Sequence, residues 1–229
     1  MFGLLTRSRR LAPLAPRSFR PSLERLETRN CPSAVTLNVA YGAGKAITLY
    51  GQVTGAAGDA SPSFVGPLQY SGLTGVTVVF HGSASGTALT DANGYFALPT
   101  NATSLGEVDA ATADGQSNMA SVVLSSSAPL ISNFGAFQEG NTRYWDIVGH
   151  VTDGNFSPQG LTIQINGSPV TIYNNGQGQT AGVDQNGNFD LVIKLNGTGT
   201  DNGNIQATTA DAWGLQSNDP LTSIMQPGT

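Results

Sequence analysis

Thr90-Asp91-Ala92-Asn93-Gly94-Tyr95-Phe96 is the stretch whose reading settles the fold, and Val183-Asp184-Gln185-Asn186-Gly187-Asn188-Phe189 repeats it 93 residues later. Asn-Gly tolerates the positive φ angles that a tight connection between strands needs, so each stretch predicts a β-hairpin whose returning strand opens near a phenylalanine. Tyr50-Gly51-Gln52-Val53-Thr54 recurs as Val148-Gly149-His150-Val151-Thr152 at an offset of 98, and Ala110-Ala111-Thr112-Ala113-Asp114 as Ala207-Thr208-Thr209-Ala210-Asp211 at 97. Three blocks in one order at nearly constant spacing identify a duplication, and the drift in offset places insertions in connecting loops.

Strands extend outward from the hairpins. In the first copy, Ala46 to Val53 alternates apolar and polar residues, followed by Gly75 to Phe80, Thr87 to Thr90, Tyr95 to Leu98, Val108 to Ala113 and Ser121 to Leu124. The second copy reads alike over Trp145 to Val151, Leu161 to Ile165, Phe189 to Ile193 and Ile205 to Ala210. Charged residues are 11% of the chain, against roughly 25% in ordinary soluble domains. No long stretch repeats apolar residues at three-and-four spacing, so the fold class is all-β. A chain of 229 residues accommodates two sandwiches of roughly 100 residues each. Ser125-Ser126-Ser127-Ala128-Pro129 marks the junction. The expected organisation is a basic arm over residues 1–34, a first sandwich over 35–127 and a second over 128–229, stacked end to end, each burying its own apolar faces. Residues 55–72, rich in Gly, Ser and Pro, are expected to form a loop able to carry a binding surface.

Charge divides the chain. Residues 1–30 hold seven of the ten basic side chains against Glu24 and Glu27, while the remainder keeps Lys45, Arg143 and Lys194 against thirteen carboxylates. An acidic body repels phosphate, which argues against nucleic-acid binding. Cys31 is the single cysteine, so no intrachain disulfide can form. No run of about 18 apolar residues is present, so no transmembrane segment is expected. The arm contains Leu23-Glu24-Arg25-Leu26-Glu27-Thr28-Arg29-Asn30-Cys31-Pro32-Ser33-Ala34. Its Leu23, Glu24, Leu26, Glu27, Arg29, Pro32 and Ser33 resemble the leader of many large Planctomycete exoproteins, adhesins and repeat proteins. That resemblance implies export, with the mature protein extracellular or on the cell surface.

The duplicated blocks carry a second resemblance. The hairpins over Thr90 to Phe96 and Val183 to Phe189, with Ala111-Thr112-Ala113-Asp114-Gly115-Gln116-Ser117-Asn118 and Thr208-Thr209-Ala210-Asp211-Ala212-Trp213-Gly214-Leu215-Gln216-Ser217-Asn218, look like bacterial immunoglobulin-like repeats. The likeness covers most of residues 35–229 and implies two tandem immunoglobulin-like β-sandwiches acting as spacers, adhesive stalks or surface-layer units. It also implies calcium at domain junctions in some members, although both copies depart from the closing Gly-Asn of that pattern.

Candidate sites are few. Asp91, Asn93, Asp184 and Asn186 begin Asp-x-Asn-Gly turns that could contribute oxygens to calcium, and Asp114 and Asp211 could join across the junction. No other cofactor is expected. Tyr144, Trp145 and Trp213 could offer stacking faces to a sugar or pack into a core or interdomain contact. His81 and His150 sit at non-equivalent positions without zinc-ligand spacing. No Gly-x-Ser-x-Gly elbow, no pair of placed glutamates and no phosphate loop is present, which leaves no catalytic residues and reads as no enzyme. The expected function is an exported structural or adhesive spacer meeting a cell-envelope or extracellular protein or glycan surface. The alternative is a module binding carbohydrate or calcium at its loops or seam.

Overall fold

The computed structural model describes residues 34–56, 70–112, 119–140, 142–173, 177–194 and 202–225. The leader-like motif through Ser33, the middle of the 55–72 loop and Asp114 lie outside the described residues. The described chain is sheet throughout, apart from one short helix, α1 (Ser168–Tyr173). Residues 32–229 form one compact unit.

The first sandwich begins with β1 (Ala34–Val35), β2 (Asn38–Tyr41) and the long β3 (Ala46–Ala56). These are followed by β4 (Tyr70–Gly72), β5 (Thr77–Gly82), β6 (Gly86–Leu89), β7 (Tyr95–Asn101), β8 (Gly106–Thr112) and β9 (Ala120–Leu124). β3 is the hub of one sheet: β2 and β7 flank its first part, β1 and β4 its last residues. The opposing sheet has the order β6-β5-β8-β9. Where a long loop is expected over 55–72, both arms are strand, with Thr54 opposite Gly72 and Ala56 opposite Tyr70.

The second sandwich repeats the plan with β10 (Leu130–Gln138), β11 (Tyr144–Thr152) and β12 (Thr162–Gly167), then, after α1, β13 (Gln179–Gly182), β14 (Asn188–Lys194), β15 (Gly203–Thr208) and β16 (Leu221–Ile224). Its sheets are β10-β11-β14 and β13-β12-β15-β16, and every named strand pair in both sandwiches is antiparallel. Two facing sheets with this strand order make each copy an immunoglobulin-like β-sandwich. The strand before each Asn-Gly turn, β6 or β13, pairs with β5 or β12 instead of joining the other sheet as in constant-type domains.

Alternation fills two cores. Leu49, Val53, Val78, Phe80, Val108 and Leu124 are fully buried in the first, and Ile147, Ile163, Ile165, Ile205 and Ile224 in the second. The duplicated glycines explain one packing feature of both. Gly51 lies opposite Phe96 in the β3–β7 ladder, and Gly149 opposite Phe189 in the β11–β14 ladder. A Cβ on Gly149 would overlap the Phe189 ring, and one on Gly51 would overlap the Thr36 carbonyl oxygen and also stand 2.8 Å from Phe96 Cζ. Each glycine therefore leaves room for the aromatic ring that its partner strand supplies.

The first core is not closed by its own copy, contrary to the expectation of two self-contained units. Phe156, from the loop after β11, is 4% exposed and belongs to the first core, and Trp213 packs against the same cluster.

Candidate functional site: the seam between the sandwiches

Three turns place their aspartates alike. Asp91 Oδ1 accepts the N–H groups of Asn93 and Tyr95 at 2.8 and 2.9 Å; Asp184 Oδ1 accepts those of Asn186 and Asn188, both at 2.8 Å. Asp211 Oδ1 accepts those of Trp213 and Leu215 at 2.9 and 2.8 Å. The fourth residue of each turn is a glycine at positive φ: Gly94 at 78°, Gly187 at 85° and Gly214 at 84°. Asp211-Ala212-Trp213-Gly214-Leu215 is thus the same turn as the two Asn-Gly hairpins, with tryptophan in place of asparagine.

This geometry bears directly on calcium. The carboxylate oxygen that would begin a metal site is occupied by two backbone donors in each turn. Among the described residues no group of three or more His, Cys, Asp or Glu side chains is placed to hold an ion. The donors act on the carboxylates themselves: N–H groups, chiefly that of Asn188, hold Asp184 below the usual carboxylate range.

Asp211 differs from its two counterparts in location. It is 8% exposed, and its Oδ2 accepts the Ser126 hydroxyl of the connecting segment at 2.5 Å. The neighbouring serines are used too. Asn155 Nδ2 donates to the Ser125 carbonyl and hydroxyl at 2.7 and 2.8 Å, and Gly154 N–H donates to Ser127 Oγ at 3.1 Å. Beyond the connector, Asn218 brackets Ile131, accepting its N–H at 2.7 Å and donating to its carbonyl at 2.9 Å. Asp153 Oδ1 caps its own loop by accepting from Asn155 and Phe156. Burial raises the Asp153 carboxyl above the ordinary value, with a smaller contribution from the Asp211 charge, against the lowering effect of those backbone donors.

An apolar contact lies beside this polar one. Phe156 meets Tyr41 edge-on at 4.7 Å between ring centroids and Trp213 at 6.0 Å, and Lys45 Nζ stands 4.4 Å from the Trp213 ring centroid. The Ser157 N–H donates to the Gly42 carbonyl, adding a parallel bridge between Ala43 and Ser157. The turn between β2 and β3 is therefore gripped by two loops of the second sandwich. Next to it runs a groove of about 680 Å³, lined by Ala43 and Gly44 from the first sandwich and by Gln159, Thr162, Gln164 and Gln216 from the second.

The aromatic candidates separate. Trp145 is 6% exposed inside the second core and offers no face to a sugar. Trp213 is committed to Phe156 and Lys45, while Tyr144 is exposed with Lys194 Nζ 5.4 Å from its ring centroid. Among the described residues neither indole N–H finds an acceptor. Tyr41, Lys45, Asp153, Asn155 and Phe156 are seam residues that the sequence reading did not select. Asp153-Gly154-Asn155 directly after a strand was the available signal, as a turn sequence of the same kind as the two hairpins.

No protein-family model and no curated protein matches the chain. Solved structures give distant likenesses. A 282-residue C-terminal fragment of intimin, solved with the intimin-binding domain of the translocated intimin receptor, is 17% identical over 84% of this chain and 64% of that one, with a TM-score of 0.30. FdeC, an adhesin of Escherichia coli, is 13% identical over 87% of this chain and 65% of its own, with a TM-score of 0.31. Invasin, a bacterial integrin-binding protein, is 16% identical over 83% and 38%, with a TM-score of 0.28. This chain thus spans less than two thirds of each of the three. Among the described residues no helix is long and apolar enough to cross a membrane.

Proposed function

We propose that this chain is an exported, non-enzymatic structural or adhesive protein whose tandem sandwiches hold their outer loops at a fixed spacing. The supporting observation is the seam, where loops of the second sandwich complete the first core through Phe156 and bind the connector through Asp211 and Asn155. A joint with aromatic packing and hydrogen bonds on both sides of the connector resists bending, as a spacer requires and a hinged cleft does not. The basic arm with Leu23, Glu24, Leu26, Glu27 and Arg29 serves export on this reading, and the partner is an envelope or extracellular surface of protein or glycan.

Fractionation of native cells with N-terminal sequencing of the purified protein tests the proposal. Recovery from the envelope or medium is the expected result; recovery from the cytoplasm alone, with Met1 in place, overturns it. The groove beside the seam supports a second reading, a module for a neutral carbohydrate, because amide side chains line it and no charge but Asp211 does. Calorimetry of the full chain with neutral glycans and with calcium separates the two, since a spacer gives no heat of binding and a module does.

A further inference from the structure

β14 (Asn188–Lys194) is an edge strand. It pairs with β11 on one side, and among the described strands none pairs with the other. The adjoining turn identifies which backbone groups face that free side. The Gly187 carbonyl accepts from Val151 of β11 at 2.7 Å, so odd-numbered residues face β11. The Asn188 carbonyl accepts from Asp184 at 2.9 Å and its N–H donates to Asp184 Oδ1, both away from β11. Alternation along a strand then turns the N–H and C=O groups of Asp190, Val192 and Lys194 toward the open edge. Their side chains are exposed on the outer face, Val192 to 52%.

Natural sheets blunt such edges, and the first sandwich does so at the equivalent strand. Counting from the matched aspartates Asp91 and Asp184, Val192 corresponds to Pro99 of β7. Tyr95 N–H and C=O both engage Asp91, so the same alternation places the nitrogen of Pro99, which bears no hydrogen, on the free side of β7. The second sandwich lacks this block. It has instead an aspartate two residues before Val192 and a lysine two residues after.

The geometry points to the open edge of β14 as a docking surface for a second copy of this chain, the two β14 strands pairing antiparallel about a two-fold axis at Val192. In that register Val192 faces Val192 of the other copy, and Asp190 of each faces Lys194 of the other, all as hydrogen-bonded pairs. Charges on an edge strand often serve to prevent pairing, but here they select one arrangement. Sliding one strand by four residues moves the axis to Asp190 or Lys194 and sets like charges against each other, which repels, while a slide of two sets Asp190 or Lys194 against Val192 and loses both opposite-charge pairs. Lys194 already lies near the ring of Tyr144, its cross-strand neighbour. The joined sheet would have six strands, with Phe137 and Val192 on its outer face in one row across each half.

Sedimentation equilibrium of the full chain under reducing conditions, so that Cys31 cannot link copies, tests the proposal. A concentration-dependent dimer is expected. Val192→Pro, which copies the residue the first sandwich already carries at this position, is expected to abolish it. Asp190→Lys and Lys194→Asp are each expected to weaken dimerisation on the order of tenfold, because two symmetric pairs change from attraction to repulsion. The double variant Asp190→Lys/Lys194→Asp restores the opposite-charge pairs and is expected to regain the dimer, a recovery that misfolding could not produce. A chain that stays monomeric at all concentrations overturns the proposal, as does a dimer indifferent to Val192→Pro and to both single reversals. So does failure of the double variant to recover.

Discussion

Asp153 and Asp184 both cap their own loops through backbone N–H donors, yet their ionisation is pushed in opposite directions. For Asp184 the donors act with little burial to oppose them, and its carboxyl is lowered; for Asp153 burial outweighs the donors, and its carboxyl is raised. Linkage gives the signs. The contribution of Asp184 to folding is complete above the ordinary aspartate value and is lost as the pH falls through its lowered folded value. Asp153 works the other way: its charge penalises the folded state, fully above the raised folded value, and acidification through that value relieves the penalty. Asparagine keeps the accepting oxygen at either site and removes the charge. Asp153→Asn is therefore expected to unfold at higher urea concentration than the unaltered chain near neutral pH, and Asp184→Asn at lower. The Asp153 difference should fade as the pH falls to the ordinary aspartate value, and the Asp184 difference only on further acidification, through its lowered folded value. Urea midpoints across that range check this, and a shift of the same sign in both variants would contradict the account of Asp153.

At the scale of the element, the glycine that faces a phenylalanine recurs in both sandwiches and ties a central strand to its neighbour. Gly149→Ala places a methyl group where the Phe189 ring lies, and overpacking of this kind costs about 1–3 kcal/mol. Combining it with Phe189→Leu is expected to cost less than the two single losses together, since the shorter side chain vacates the contested space. Chemical denaturation of the four-member cycle measures the coupling, and strict additivity would remove the steric explanation. The same pair shows what the sequence made legible. Repetition, alternation and Asn-Gly turns located β3, β5, β6, β7, β8, β9, β11, β12, β14 and β15, because each has a face to bury or a turn of known chemistry beside it. β10 escaped that reading for a physical reason. Its register shifts between Ser132 and Gly135, with Asn133 at a φ of 51°, and the bulge breaks the period-two pattern on which recognition depends. β1 and β4 are too short to show any period, and α1 offers a single turn with Pro169 near its start.

At the scale of the whole molecule, legibility stops at the seam, because a contact between two copies leaves no periodic trace in either. Phe156 lies in a loop, where an aromatic residue reads as incidental, and the connecting serines read as a flexible polar stretch. In the fold, that loop supplies the first core with an aromatic ring, and the serines receive or give hydrogen bonds to the second sandwich. Two consequences of this arrangement can be separated. Were the sandwiches merely adjacent, truncating Phe156 would harm only the copy that carries it in sequence. Because the ring lies among Tyr41, Trp213 and the first core, Phe156→Ala is expected to remove about 3–5 kcal/mol chiefly from the first sandwich. Native-state hydrogen exchange resolves the two copies: backbone amides of Ile47 and Leu49 should lose protection, while those of Ile163 and Ile165 retain theirs. Protection lost from the second sandwich alone would mean that the seam couples nothing, and that the spacing of the outer loops is set by the connector. Loss from the first sandwich would place its stability partly in the hands of its neighbour, through the ring that the second sandwich lends to its core.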